Sequence, residues 1–256
     1  MKTRAELSRR RFLARGFGAT CALVLSGCDA LSQTAWFPKI LEAGEKLTGA
    51  TQHLIAPRRA MAQEFTERDL SPRFRSNGTS MPANPQYLAL AAGGFADYRL
   101  AVDGLVEKPA SLSLAELRAL PSRTQITRHD CVEGWSAIGK WRGARLSALL
   151  EAVQPKPPAR FVVFHCADPK YDTKPYYESI DLEDAFHPQT ILAYDLNDRT
   201  LPMPNGAPVR LRVERQLGYK HAKYVMRIEL VENFEKIHGG KGGYWEDHGY
   251  EWWAGI

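Results

Sequence analysis

Residues 128–136 have the sequence Arg-His-Asp-Cys-Val-Glu-Gly-Trp-Ser, which places a cysteine among charged and aromatic residues. The residues just before it, Thr124–Thr127, have the extended pattern of a strand, and the Gly and Ser after the cysteine predict a turn at the strand's end. Cys131 would then lie at the tip of a strand, among charged and aromatic side chains. That position suits a reactive or metal-binding thiolate, and equally a half-buried cysteine in a disulfide. These nine residues leave both interpretations open.

The net charge of +5 comes from the beginning of the chain. Residues 1–27 contain six basic side chains and one acidic one, whereas the remaining residues contain 28 of each. The residues after 27 thus carry no net charge, and this argues against the basic surface that nucleic acid binding requires. We therefore expect no nucleic acid partner.

Residues 1–27 are predicted to be a twin-arginine lipoprotein signal peptide. The segment Ser8–Leu13 resembles the twin-arginine consensus, and the apolar segment Phe17–Leu25 is too short to span a bilayer as a mature helix. Leu-Ser-Gly-Cys at residues 25–28 resembles a lipobox, which predicts lipid on Cys28, and the following Asp resembles an inner-membrane retention signal. The alternative is cleavage without lipid. We expect a periplasmic protein that is anchored to the inner membrane through Cys28.

The twin-arginine route exports proteins already folded, often with a cofactor inserted, so a cofactor is expected here. Cys21 leaves with the signal peptide, and only Cys131 and Cys166 remain in the fold, where they could form a disulfide. No CxxC motif or His/Cys pair at zinc spacing is present in the sequence. A structural zinc site is therefore not expected.

The remaining chain divides into a tether with an approach segment, residues 28–80, and one domain, residues 81–256. Apolar residues between 40 and 55 predict an amphipathic helix that packs on the membrane or on the domain. The patterns beyond residue 97 predict short helices at Leu114–Leu120 and Arg145–Val153, and strands at Tyr98–Val106, Phe161–Phe164, Thr190–Leu196, Val209–Val213 and Tyr224–Leu230. The predicted fold class is a mixed, strand-rich α+β domain. In the fourth of these strands, Arg210 and Arg212 would share one face.

Three separated segments resemble the sulfite-oxidase-type molybdopterin-dependent oxidoreductase family. They are Cys131–Ser136, Asn205–Arg210, and Gly218–Lys220 with Lys223 after it. That family includes the periplasmic methionine-sulfoxide reductase catalytic subunits. The resemblance covers about residues 82–232, and its motifs occur in the family's order and rough spacing. It implies molybdenum with molybdopterin as the cofactor.

The resemblance also implies roles for individual residues. Cys131 would be the metal ligand, because a soft thiolate suits molybdenum. Arg210 and the Gly218–Lys220 turn would hold the pterin phosphate, and Cys166 replaces a threonine that contacts the pterin in the family. His129 is either a proton donor near the metal or a structural histidine. The predicted cofactor-binding residues are Asn84, Tyr87, Cys131, Cys166, Asn205, Arg210, Gly218, Tyr219 and Lys220.

By this resemblance the chain is expected to be a periplasmic molybdoenzyme with two-electron, oxygen-atom-transfer chemistry, and reduction of a small-molecule or protein S-oxide or N-oxide is favoured. The alternatives are a sulfite dehydrogenase and, from another class, a non-catalytic lipoprotein that uses the fold for binding or assembly. No haem-attachment motif (CxxCH) is present in the sequence, so the expected electron partner is a membrane b-type cytochrome. The aromatic tail, residues 242–253, would cover an apolar patch or line the substrate entrance.

Overall fold

The computed structural model describes residues 59–169 and 175–256, with isolated positions between residues 33 and 51. One compact unit runs from Arg58 to Ile256. Residues 59–80, predicted above as approach segment, lie within it, since Phe65 N donates to Ile126 O over 2.8 Å and Phe74 packs edge-on against Trp141. The predicted signal peptide and most of the predicted helix within residues 40–55 lie outside the described residues. Among the described residues, no helix has both the length and the apolar composition to cross a bilayer.

Two sheets, one mixed and one antiparallel, form the framework of this unit. The strands are β1 Arg99–Gly104, β2 Ala110–Ser113, β3 Ser122–Cys131, β4 Trp135–Arg145, β5 Phe161–Pro169, β6 Pro175–Asp181, β7 Ile191–Leu196, β8 Arg199–Thr200, β9 Arg210–Arg212 and β10 Val225–Val231. The first sheet has the order β2-β1-β10-β5-β6, and the second has the order β3-β4-β7-β8, with β9 also paired to β7. The β1–β10 pair is parallel, and the other described pairs are antiparallel.

Short helices precede, connect and follow these strands. They are α1 Pro85–Ala92, α2 Leu114–Ala119, α3 Leu146–Val153, α4 Leu182–Ala185 and α5 Tyr244–Asp247. Helix α2 begins with a capping box, in which Ser113 Oγ accepts from Glu116 N and the Glu116 carboxylate accepts from Ser113 N, so two otherwise unpaired N–H groups are satisfied. Helix α3 buries four side chains at helical spacing, which are Leu146, Leu149, Leu150 and Val153. The predicted α+β class is confirmed, and so are these two helices.

The hairpin of β3 and β4 confirms the predicted position of Cys131 at the tip of a strand, but its turn is shorter than predicted. The ladder between the two strands continues through Cys131, which pairs with Trp135. The turn itself is only Val132–Gly134, closed by Gly134 N donating to Cys131 O, and Gly134 has φ +82°. A positive φ of this size favours glycine. Ser136, expected in the turn, already belongs to β4. The consequence is that Cys131 lies at the tip of a two-stranded arm.

Strand β9 is shorter than predicted, and both of its faces are buried. The alternation from Val209 to Val213 does place Arg210 and Arg212 together, because both guanidinium groups lie over the ring of Trp141. Neither arginine is exposed to solvent. Alternation alone does not reveal this, since a polar face can be covered by another layer.

Candidate active site

A cavity of about 510 Å³ opens beside the β3–β4 turn. Its walls come from the approach segment, the turn after β3, strands β5 and β6, the segment after β9 and the C-terminal tail. The lining residues are Asn77, Gly78, Thr79, Cys131, Val132, Glu133, Asp168, Tyr176, Gly218, Tyr219, His221, Lys223, Trp245 and Tyr250. This volume is within the usual range for small-molecule and cofactor sites.

Cys131 is half-buried at the edge of this cavity. Burial raises the pKa of the thiol, and the charge of Glu133 adds to that effect, while the Glu133 N–H and the charges of Arg210 and Arg75 oppose it. A thiol in this setting is protonated until a metal ion binds, because coordination deprotonates it. Within the described residues no disulfide joins Cys131 to Cys166.

Arg210 is a fully buried cation without a carboxylate partner among the described residues. Its Nη1 donates to Asn205 O over 3.2 Å and its Nη2 to Asn77 Oδ1 over 3.3 Å, whereas Nε has no partner among those residues. Burial, together with the neighbouring charge of Arg212, lowers the pKa of Arg210 to about 9. A buried charge of this kind favours an anion nearby. Because Asn77 lines the cavity, the arginine is linked to the cavity wall through it.

Arg212, one strand position further along this face, has its charge neutralised within the protein. It forms a bidentate pair with Glu214, with N–O distances of 2.8 and 2.5 Å, and both side chains are fully buried. Its Nη1 also donates to His129 Nδ1 over 2.9 Å. The two arginines of β9 therefore differ in kind, and only Arg210 retains capacity for an external anion.

Asn205 lies in a short 3-10 turn, Met203–Asn205, and its side-chain nitrogen is buried with no partner among the described residues. Asn84 caps α1, where its Oδ1 accepts from Tyr87 N over 3.1 Å. Tyr87 donates its hydroxyl to Ala207 O over 2.8 Å. Asn84 and Tyr87 thus fix the backbone around Asn205 and Arg210, and neither lines the cavity. Their predicted cofactor contacts stay predictions.

The turn Gly218–Lys220 contributes Gly218 and Tyr219 to the cavity wall. A Cβ on Gly218 would lie 2.5 Å from His129 Nε2, so glycine is required for the turn to approach β3 this closely. The Lys220 side chain is directed elsewhere, since its Nζ donates to Glu178 over 2.5 Å and to Glu246 over 2.6 Å. The structure does not bring its ammonium to the cavity.

His129 lies behind this wall rather than in it. The ring is fully buried, 5.0 Å from the ring of His221, and its Nδ1 accepts from Arg212. Burial, then the charge of Arg210, lowers the pKa of His129 well below its ordinary value, so the ring is neutral. Since Nδ1 accepts, the proton is on Nε2, which has no partner among the described residues. Donation to a substrate stays a prediction.

Cys166 belongs to the main hydrophobic core on β5, and it does not line the cavity. Its sulfur donates weakly to Phe164 O over 3.8 Å. The structure therefore gathers Cys131, Gly218 and Tyr219 at the cavity, with Asn205 and Arg210 joined to it through hydrogen bonds. It leaves Cys166 in the packed interior, apart from this group.

Most of the lining residues were not among the predicted site residues, and Asn77, His221 and Lys223 are three of them. Lys223 Nζ donates to the carbonyls of Asn77, Thr79 and Pro204 over 2.7, 2.5 and 2.8 Å, which joins the approach segment to the segment after β9. Lys223 follows one of the three motifs, so its position offered a signal. Asn77 lies in an irregular polar segment, whose contacts depend on tertiary packing.

These features fit a molybdopterin. A soft thiol at the cavity edge can bind the metal. The unpaired N–H groups of Arg210 and Asn205 suit a group that carries a phosphate and many acceptors. The cavity also has the volume that a cofactor requires. The hydrogen-bond donors that such a cofactor requires are thus present in the protein itself.

Comparisons with known proteins agree. Residues 89–238 match the model of the oxidoreductase molybdopterin binding domain. The chain is 36% identical over 248 residues, 97% of this chain and 88% of the relative, to YedZ1 of Azospira oryzae, which is named by inference as a protein-methionine-sulfoxide reductase subunit. It is 39% identical over 233 residues, 87% of this chain and 70% of the relative, to the catalytic subunit MsrP of protein-methionine-sulfoxide reductase from Xanthomonas campestris.

A solved structure shows the same fold. The sulfane dehydrogenase SoxCD from Paracoccus pantotrophus superposes with a TM-score of 0.50 at 22% identity, covering 69% of this chain and 46% of that chain. The family match extends over more than half of the chain and includes the Cys131 hairpin, Arg210 and the Gly218 turn. The chain belongs to the oxidoreductase molybdopterin-binding domain family and is a molybdenum cofactor-dependent oxidoreductase of the sulfite-oxidase type.

Proposed function

We propose that the chain is the catalytic subunit of a periplasmic reductase that acts on S-oxides, with methionine sulfoxide in proteins as the main substrate. The observation that carries the proposal is that the rings of Trp245 and Tyr250 line the Cys131 cavity, in a chain whose relatives are named as protein-methionine-sulfoxide reductases. An uncharged sulfoxide with alkyl groups suits such a wall. A non-catalytic role is set aside because the chain is an oxidoreductase of this family.

In the proposed reaction the S-oxide takes up two electrons and two protons, its S–O bond breaks, and the oxygen leaves as water. The bound molybdenum cofactor would supply the two-electron redox chemistry. Cys131 would hold the metal, and Arg210 and Asn205 would bind the pterin's anionic end. Trp245 and Tyr250 would exclude water from one side of the cavity. The electrons would come from a membrane b-type cytochrome.

Charge distribution supports a neutral substrate over sulfite. A dianion requires paired cations, since its desolvation is otherwise uncompensated. Among the described lining residues the basic side chain is Lys223, and its ammonium already donates to three carbonyls. Lys140 pairs with Glu67 and Asp198 away from the cavity, and Arg212 pairs with Glu214.

The test is steady-state kinetics on one preparation that contains molybdenum and pterin. Reduction of a methionine sulfoxide peptide by a reduced dye is compared with oxidation of sulfite by ferricyanide. We expect kcat/KM for the peptide to lie within the enzyme range of roughly 10⁴–10⁸ M⁻¹s⁻¹, and the sulfite value to lie far below it. A sulfite value in that range, with a slow peptide reaction, would reject the proposal.

We also propose that the protein is exported by the twin-arginine route and anchored through lipid on Cys28. The sequence motifs at residues 8–13 and 25–28 support this. The measurements are export of an Arg9→Lys/Arg10→Lys double variant and labelling of the mature protein with a fatty acid. Export of the double variant at the wild-type level would refute the route, and an unlabelled mature protein would refute the anchor.

A further inference from the structure

The C-terminal segment Tyr244–Trp253 has two parts with different surroundings. Trp252 is packed away from the cavity, with its ring 5.3 Å from that of Phe161, and its Nε1 donates to Ser179 Oγ over 2.8 Å. Trp245 and Tyr250 instead line the cavity, with ring centroids 5.2 Å apart. The segment therefore packs on the domain at one point and presents two rings to the cavity at another.

The two rings form an uncharged, partly open wall. The Tyr250 ring lies 5.3 Å from that of Tyr219, which contributes the adjacent part of the lining, and Tyr250 is 37% exposed. Val132, on the turn that carries Cys131, is a second exposed apolar side chain of the lining and is 47% exposed. The wall can therefore surround an alkyl chain while leaving room for a longer polymer to continue outward.

A buried ionic cluster holds this wall in place. Lys220 Nζ lies 2.5 Å from Glu178 and 2.6 Å from Glu246, and all three side chains are at most 1% exposed. Each member is close in sequence to a lining residue: Lys220 follows Tyr219, Glu246 follows Trp245, and Glu178 lies two strand positions from Tyr176. The cluster thus joins three of the elements that form the wall.

From this arrangement we propose that Trp245 and Tyr250 bind the alkyl side of a methionyl S-oxide in a polypeptide, and that Glu246 is a positioning residue that holds Trp245 through Lys220. The inference rests on the proposed function and specifies the substrate-selective surface within it. Sulfur next to an aromatic ring is a favourable contact, and the methylene groups of a methionyl side chain gain from burial against the rings. Dimethyl sulfoxide has the same S–O group without that side chain.

The test compares kcat/KM for a short peptide with one methionine sulfoxide to kcat/KM for dimethyl sulfoxide, both with a reduced dye. In Trp245→Ala and Tyr250→Ala we expect this ratio to fall about tenfold, through KM for the peptide, as for loss of one apolar contact in a pocket. The control is Phe186→Ala, which removes an exposed ring outside the cavity lining and should leave the ratio unchanged. Because both substrates use the same cofactor, partial cofactor loading cancels in the ratio.

Glu246 is tested by two substitutions. Glu246→Ala should lower the same ratio, because Lys220 loses one of its two acidic hydrogen-bond partners, and Glu246→Gln should restore most of it, since the amide oxygen still accepts from Nζ. A general loss of fold would lower both substrates' rates and leave the ratio unchanged. Equal ratios in Glu246→Ala and wild type would overturn the positioning role.

Variants that bind little cofactor can be tested by measuring peptide binding instead of activity. Without an electron donor, the S-oxide peptide should change the tryptophan fluorescence of the wild-type protein and of Phe186→Ala at the same concentration, and Tyr250→Ala, which keeps Trp245 as the reporter, should require a higher concentration. An unchanged ratio in Trp245→Ala and Tyr250→Ala, together with an unchanged fluorescence titration in Tyr250→Ala, would overturn the proposal. If instead the loaded wild type reduces neither S-oxide, it is the proposed function itself that has failed.

Discussion

The two arginines of β9 lead to opposite predictions for substitutions of the same kind. Arg210 and Arg212 are both fully buried and both lie over Trp141, but only Arg212 has a carboxylate partner, Glu214. Replacement by methionine keeps much of the side-chain volume and removes the charge. In Arg212→Met a buried carboxylate loses its partner, which costs about 3–5 kcal/mol of unfolding free energy.

In Arg210→Met the unfolding free energy of the protein without cofactor should change by less than about 1 kcal/mol. The two long hydrogen bonds to Asn205 and Asn77 are lost, but an uncompensated buried charge is removed with them. The cost appears when the cofactor is bound. One charge-assisted contact is worth about 1.5–3 kcal/mol, so pterin affinity should fall roughly 10- to 150-fold.

The assay is urea unfolding of each variant with and without cofactor, the latter purified from a host that cannot make molybdopterin. The stabilisation by bound cofactor should be nearly normal in Arg212→Met molecules that fold, and it should be reduced by about 1.5–3 kcal/mol in Arg210→Met. Pterin content after dialysis provides an independent reading. Full pterin retention in Arg210→Met, or a loss of apoprotein stability as large as that of Arg212→Met, would refute this reasoning.

Three further predictions concern other parts of the site. Cys131→Ser should abolish dye-linked S-oxide reduction while Cys166→Ser, in the packed core, keeps most of it; comparable losses per bound pterin would contradict the ligand role. Gly218→Ala should lower stability in urea by about 1–3 kcal/mol, because the new Cβ meets the held ring of His129, and wild-type stability would contradict the close approach. Burial and a neighbouring carboxylate raise the pKa of Glu178 well above 4.5, so unfolding releases a proton and stability should fall by up to about 1.4 kcal/mol per pH unit as pH rises from 4.5 to that raised pKa. Glu178→Gln should remove this slope, and parallel pH profiles for the two proteins would contradict it.

The sequence was most informative where one residue pattern had one structural solution. The apolar face of α3 and the buried run in β5 follow directly from periodicity, and both are confirmed. The family motifs located the cavity through Cys131 and Gly218. The long arms of β3 and β4 were only partly predicted, because their ladder depends on pairing between strands rather than on local pattern.

Charged residues were harder to place, since a sequence does not show which partner a buried charge has. Lys220 matched a motif, yet its ammonium lies between Glu178 and Glu246, two residues far from it along the chain. In the aromatic tail, Trp252 covers apolar rings as expected, and Trp245 lines the cavity, whose role as the substrate entrance stays a prediction. Such assignments require tertiary structure, because the deciding contacts are long-range.

The central claim is that Cys131 binds the molybdenum of the cofactor, and X-ray absorption at the molybdenum edge tests it most directly. Wild type, Cys131→Ser and Cys166→Ser would be compared at equal molybdenum content. We expect one sulfur ligand fewer in Cys131→Ser and no change in Cys166→Ser. The same number of sulfur ligands in wild type and Cys131→Ser, or a loss in Cys166→Ser instead, would contradict it.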